Sequence, residues 1–150
     1  MTREWNKGPF SISTDRDRLD LATVHSFLSC FYWSEGIPIE TVKKSIQGSL
    51  CFGVYDGKTQ VGFARVVSDF STFAYLADVF IVADCRKHGL SKWLMECIRS
   101  YPDLQGLRRW VLATRDAHGL YEKFGFKRLA APERFMEIAR PRIYQENPIP

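Results

Sequence analysis

An eleven-residue run that is almost wholly apolar, Phe73 to Ala83, opens directly onto a basic, glycine-containing bend and then a helix. No other stretch constrains the fold as strongly. A run that apolar fits a central strand covered on both faces. Beyond the bend Asp84-Cys85-Arg86-Lys87-His88-Gly89, apolar side chains fall at Leu90, Trp93, Leu94, Cys97, Ile98 and Tyr101. The spacing i, i+3, i+4, i+7, i+8, i+11 predicts a helix over 89–101 with one apolar stripe. The junction therefore brings a helix N-terminus, with its unpaired N–H groups and positive dipole end, next to Arg86 and Lys87. Such a place suits an anion, phosphate above all.

A second stretch has the same kind of specificity. Residues 117–126 read Ala117-His118-Gly119-Leu120-Tyr121-Glu122-Lys123-Phe124-Gly125-Phe126. Leu120, Tyr121 and Phe124 can share a helix face, and Gly125 suits the left-handed residue that ends a helix. Together the two segments resemble the signatures of the GNAT superfamily of N-acetyltransferases. The first resembles its coenzyme A motif: Arg86 and Gly89 match, and Ser91 stands at the final small position. The second resembles its Leu-Tyr-Glu-Lys motif, and the two occur in the family's order.

Size and composition agree with a globular chain and exclude several classes. A chain of 150 residues, 45% hydrophobic and 14% aromatic, can bury a real core. The expectation is one domain over 1–150, with its core at about 10–140. No apolar run approaches the length of a membrane helix, and the first residues lack a signal peptide's apolar stretch. A cytoplasmic protein with no membrane partner is expected. The net charge of +4 is modest, and the strongest basic cluster, Arg86-Lys87-His88, is accounted for by a phosphorylated ligand. Nucleic acid is therefore not an expected partner. The cysteines at 30, 51, 85 and 97 form no close metal-type pair. They read as free, mostly buried thiols, and no metal is expected.

Along the chain, Phe10–Ser13 alternates as a short strand. Asp17 to Asp20 offers caps for a helix carrying Leu21, Val24, Leu28 and Phe31, and Pro38 opens a second helix with Ile39, Val42 and Ile46. Asp56-Gly57 predicts a hairpin of 50–55 and 59–67. Trp110–Thr114 is the strand after the long helix, Asp116 can cap a helix over 117–124, and 126–129 and 135–139 are expected as closing strands. The tail from Arg140, with three prolines, reads as irregular. The order gives an α+β fold: a mixed, mostly antiparallel sheet with helices on both faces. It is also the element order of the GNAT fold.

The resemblance implies an acetyl-CoA-dependent N-acetyltransferase acting by direct transfer on a primary amine of a small molecule, peptide or protein. It implies pyrophosphate on the backbone N–H groups from Lys87 through His88, Gly89 and Leu90 to Ser91, with Arg86 alongside. The pantetheine arm would pair with the backbone at Ile81 and Val82 and pass Thr114 and Ala117. Thr114 stands where the family commonly has Asn, and Cys85 replaces an aromatic residue common before the Arg. Tyr121 would be the general acid for the departing thiolate, the alternative being a core tyrosine with its hydroxyl at the surface. Asp78, the only charge inside the run 73–83, is either a base for the amine or a structural carboxylate. Tyr32, Trp33 and Glu35 would border the acceptor, where an aromatic pair beside a carboxylate suits a cationic amine. A non-catalytic acyl-CoA-binding or sensing module is the competing reading. A monomer or a homodimer is compatible with either.

Overall fold

The computed structural model describes residues 1–146. Six strands, β1 (Glu4–Lys7), β2 (Phe10–Ser13), β3 (Leu50–Asp56), β4 (Thr59–Ser68), β5 (Phe73–Ile81) and β6 (Arg109–Leu112), form one sheet in that spatial order. The first four pairings are antiparallel and the β5–β6 pairing is parallel. Helices α1 (Leu21–Leu28) and α2 (Ile39–Gln47) cover one face, through a cluster of Val24, Leu28, Val42 and Ile46 on Cys51, Phe63 and Phe80. Helix α3 (Leu90–Ser100) and the short α4 (His118–Glu122) cover the other. There Leu94, Met95 and Ile98 meet Phe52, Val54, Val66 and Leu76.

Local chemistry explains the elements. The Asp20 side chain caps α1 by accepting from the Thr23 N–H at 3.2 Å. The apolar stripe of α3 is buried along its whole length, as its period requires. Gly62 lets β4 approach β5 closely: a Cβ there would stand 2.6 Å from Ile81 Cδ1 and 3.0 Å from the Phe80 carbonyl oxygen. At the β4–β5 turn, the Asp69 carboxylate accepts from the N–H groups of Ser71, Thr72 and Phe73. Those bonds hold it well below the usual carboxylate range.

The structure departs from expectation at four places. β1 was not expected; it carries a single apolar side chain, Trp5, which stacks on Phe52. The central strand β5 is not covered on both faces throughout, since Phe73 and Tyr75 are exposed. The closing strands at 126–129 and 135–139 do not form. Gly125 reverses the chain, Phe126 N–H bonds back to the Tyr121 carbonyl, and Pro132 starts a single 3-10 turn over 132–134. Phe135 packs instead on the Arg109 guanidinium at 5.0 Å, and among the described residues 135–139 make no ladder with the outer edge of β6, where the sheet ends. The tail is not wholly irregular, because Ile143–Glu146 makes one helical turn, α5; residues 147–150 lie outside the described residues.

Two of the four free thiols, Cys51 and Cys97, are buried, Cys85 is half-buried and Cys30 is exposed. Burial pushes Cys51 and Cys97 from 9.0 up to about 12. Below pH 9 both the folded and the unfolded chain keep these protons. Between pH 9 and 12 only the folded chain does, so the contribution to stability is lost as pH rises. By pH 10 each thiol should cost about 1 kcal/mol. Urea midpoints at pH 8 and pH 10 should therefore fall further for the wild type than for Cys51→Val/Cys97→Ala. An equal fall in both would contradict this assignment.

Candidate active site

The N-terminus of α3 is open. Its cap residue Gly89 takes the left-handed conformation (φ 72°, ψ 15°), and no side chain caps the helix. The Gly89 carbonyl accepts from Trp93 N–H, which leaves the N–H groups of Leu90, Ser91 and Lys92 without helical partners. Nothing lies within 4 Å of where a Gly89 Cβ would be, so the approach is clear. Lys87 is also left-handed (φ 71°), and together these residues turn the bend sharply around the helix end. Arg86, Lys87 and His88 are exposed around this opening, Ser91 is half-buried, and the Leu90 side chain enters the core and leaves only its backbone to the site.

The strand that leads into this bend has a free margin. β6 pairs with β5 only from Phe73 to Leu76, and among the described residues the rest of β5 to Ile81 has no strand on that side. Val82 N–H is bonded to Val61 of β4 at 2.8 Å, and the Ile81 carbonyl accepts from Arg86 Nε at 3.0 Å. Beyond the divergence, a groove of about 660 Å³ runs along β6 and α4, lined in part by Thr114, His118 and Tyr121. Thr114 Oγ1 accepts from the Ala117 N–H at 3.1 Å, so this hydroxyl, and not Asp116, holds the start of α4. His118, the first residue of α4, is exposed, and Ala117 is half-buried. Tyr121 packs among the core residues, with Phe126 edge-on at 6.0 Å. Burial raises its hydroxyl above the ordinary phenol value, so it stays protonated at neutral pH.

On the other face Asp78 is anything but isolated. Its Oδ2 accepts from Arg65 Nε at 2.8 Å and its Oδ1 from the Trp33 indole N–H at 3.1 Å. Arg65 also donates through Nη1 to Ser49 Oγ at 3.1 Å. The pair is largely enclosed, with side-chain exposures of 19% for Arg65 and 10% for Asp78. Asp78 has a left-handed backbone (φ 57°) at an irregularity in the β4–β5 ladder. An αL residue in mid-strand that is not glycine is held there by its surroundings. Trp33 packs on Phe31 at 4.4 Å and edge-on to Tyr32 at 5.0 Å. Arg115, from the segment between β6 and α4, lies 3.9 Å over the Tyr32 ring. This stack ties the turn Tyr32 to Glu35 to the segment that carries Thr114. Glu35 is exposed in the same turn.

The sequence named Asp78 but neither of the arginines. Arg65 had a readable signal: it is the one charge in an apolar β4, as Asp78 is in β5, and the two signs are opposite. Arg115 had none, because its ring partner is 83 positions away in the chain.

The final parallel pair of the sheet thus parts beside an uncapped helix N-terminus. The chain belongs to the GNAT acetyltransferase family: residues 47–128 match the model for the acetyltransferase (GNAT) domain. A curated protein of Gibberella zeae, provisionally named an acetyltransferase, is 28% identical over 144 residues, covering 81% of this chain and 80% of its own. Among solved structures, a protein of Xanthomonas campestris pv. campestris, provisionally placed in the same family, is 47% identical with a TM-score of 0.89. The match covers 91% of this chain and 96% of that one. A Clostridium acetobutylicum structure that contains acetyl-CoA shares the fold at a TM-score of 0.61 and 11% identity. It covers 93% of this chain and 95% of its own.

Proposed function

We propose that this acetyltransferase takes its acetyl group from acetyl-CoA and delivers it directly to a primary amine. The observation that carries the reading is the uncapped N-terminus of α3. Its unpaired N–H groups, its open Gly89 and its flanking Arg86 and Lys87 lie at the end of a strand with a free margin. Acetyl-CoA supplies an activated thioester, and this chain has to hold it, orient an amine against it and manage two protons. The N–H groups from Lys87 to Ser91 would take the pyrophosphate oxygens, with Arg86 and His88 alongside. The β5 margin up to Ile81 and Val82 would direct the pantetheine arm toward Thr114 and Ala117.

The amine nitrogen would bond to the thioester carbonyl carbon as the carbon–sulfur bond breaks, and Tyr121 would donate its hydroxyl proton to the departing sulfur and regain a proton from water, which takes up the one the amine loses. Asp78 is a fixed acceptor, since both its oxygens already receive a hydrogen bond from a rigid donor. Each oxygen retains a lone pair with which to orient the incoming amine, whose proton passes to water. Tyr32 and Trp33 would cover the amine's apolar portion, and Glu35 would favour a cationic acceptor. Mass spectrometry on incubations with acetyl-CoA and separate pools of polyamines, amino acids, aminoglycosides, arylamines and peptide N-termini tests the reading. At least one pool should yield an acetylated amine in proportion to the coenzyme A released.

The phosphate assignment is tested on its own by Gly89→Asp. That change puts a carboxylate and a Cβ where a phosphate would approach. Calorimetry should show at least a tenfold loss of acetyl-CoA affinity, about 1.4 kcal/mol. Unchanged affinity in a folded variant would remove the bend from the site.

A further inference from the structure

Arg115 is a positioned cation with no anion to answer it. It is exposed, and its guanidinium carbon lies 3.9 Å over the Tyr32 ring. A guanidinium stacked on a ring keeps its N–H donors in its own plane, where they can grip a carboxylate by two parallel bonds. Among the described residues Arg115 makes no hydrogen bond and no ion pair, although Asp116 adjoins it in sequence and Glu35 stands in the Tyr32 turn. The nearby Arg65, by contrast, is already engaged by Asp78 and Ser49.

A short run of contacts leads from this guanidinium to a carboxylate. Tyr32 meets Trp33 edge-on at 5.0 Å, and the Trp33 indole N–H donates to Asp78 Oδ1 at 3.1 Å. Beside Asp78 the same face of the sheet is apolar and open. Cys51, which packs under α1 and α2, is the register partner of Arg65, so Arg65 and Val67, two residues on, look to that side. Val67 pairs with Tyr75, and Tyr75 with Val111. Val67 and Tyr75 are exposed, and so are the Tyr32 and Trp33 rings. Tyr75 stands three residues from Asp78 along β5, about 10 Å away. A fixed anion, a fixed cation and an apolar floor therefore adjoin one another around two exposed rings.

From this arrangement we infer that the acceptor is a free α-amino acid with an apolar side chain. Asp78 receives its amine, Arg115 its carboxylate, and the floor of Val67, Tyr75 and Val111 its side chain. The inference rests on the reading of this site as an amine acetyltransferase and narrows the acceptor within it. The charges match in kind and number: a zwitterion brings one cation to the Asp78 side and one anion to the Arg115 side. Other amines lack that match. A peptide N-terminus has an amide where the carboxylate should be, and a polyamine sets a second cation against Arg115, which repels it. Thr114, the preceding residue, lines the groove on the other side of this segment. The stretch that borders the proposed donor arm thus also carries the residue that selects the acceptor.

Acetylation of phenylalanine, phenylalaninamide and phenethylamine, which share ring and amine and differ at the carboxylate, tests it. For the wild type, kcat/KM should be at least tenfold higher for phenylalanine than for either of the others. Basicity alone would rank the amide first, because it lacks the anion that holds an α-ammonium protonated. Arg115→Met keeps an unbranched chain over Tyr32 and removes the fork. It should lower kcat/KM for phenylalanine at least tenfold and bring the three acceptors within about threefold of one another. Arg115→Lys, which keeps the charge without the fork, should fall between. Arg115 is exposed, so both variants should keep the wild-type circular dichroism. Equal rates for the three acceptors in the wild type, or a preference for phenylalanine that survives Arg115→Met, would overturn the inference. So would transfer to a polyamine or peptide pool when no amino acid reacts, and each of these results leaves acetyl transfer itself standing. No transfer to any pool would instead remove the acetyltransferase reading, and the inference with it.

Discussion

Tyr121→Phe is expected to lower kcat by about a hundredfold or more while acetyl-CoA affinity stays within twofold. The substitution keeps the ring, its packing and its edge contact with Phe126, and removes only the hydroxyl. That hydroxyl belongs to a buried phenol whose environment disfavours ionisation, so at neutral pH it is a donor with a proton to give. Tyr121 lines the same groove as Thr114 and His118, beside the place where β5 and β6 part. A loss confined to kcat assigns Tyr121 to the departing sulfur. A wild-type rate would leave it as core packing, and a loss confined to affinity would make it part of the binding wall.

The second large effect should come from Arg65. Removing one partner of an enclosed ion pair leaves the other charge uncompensated, a loss of roughly 3–5 kcal/mol when burial is complete. Arg65 keeps about a fifth of its side chain in solvent, so we expect about 2–3 kcal/mol for Arg65→Met. At this chain length that lowers Tm by roughly 4–12 °C. Arg65→Gln/Asp78→Asn replaces the charged pair with two neutral groups that can still meet. It should recover most of the stability and little of the rate, because the fixed anion proposed to orient the amine is gone. Recovery of both would make the pair purely structural. Recovery of neither would place Arg65 on the substrate directly. The pH profile of kcat/KM for Asp78→Asn adds a readout of base catalysis: loss of an acidic limb in a protein of unchanged Tm would return Asp78 to the role of base.

What could be read from the sequence depended on how local the cause was. The stripe Leu90 to Tyr101 has a period set by one helix, and the structure buries it within one residue of the expected bounds. The Asp56-Gly57 hairpin is equally local, and β3 and β4 follow it. Non-local causes were not legible. Strand β1 has one apolar residue in four, and it exists because β2 offers it an edge. Residues 135–139 have strand composition, but a strand also needs a partner, and composition does not say where the partner is. The ion pair of Arg65 with Asp78 joins positions thirteen apart, through a ladder whose irregularity between Phe63 and Arg65 no propensity shows. Of the candidate site, the bend and Tyr121 were legible because motif and helix coincide there. The turn Tyr32 to Glu35, proposed to border the acceptor, was legible only as residue types. Its geometry comes from Trp33 bonding to Asp78 and Arg115 stacking on Tyr32, contacts between distant parts of the chain.

The most direct test of acetyl transfer at this site is a time course of coenzyme A and acetylated amine, measured together by mass spectrometry with and without the amine pool that responds. The account predicts that the two products appear one for one and only when amine is present. It also predicts that Tyr121→Phe slows both about a hundredfold at saturating acetyl-CoA. Tight acetyl-CoA binding with no amine-dependent release of coenzyme A from any pool would contradict it and leave a protein that senses its acyl-CoA ligand without turning it over.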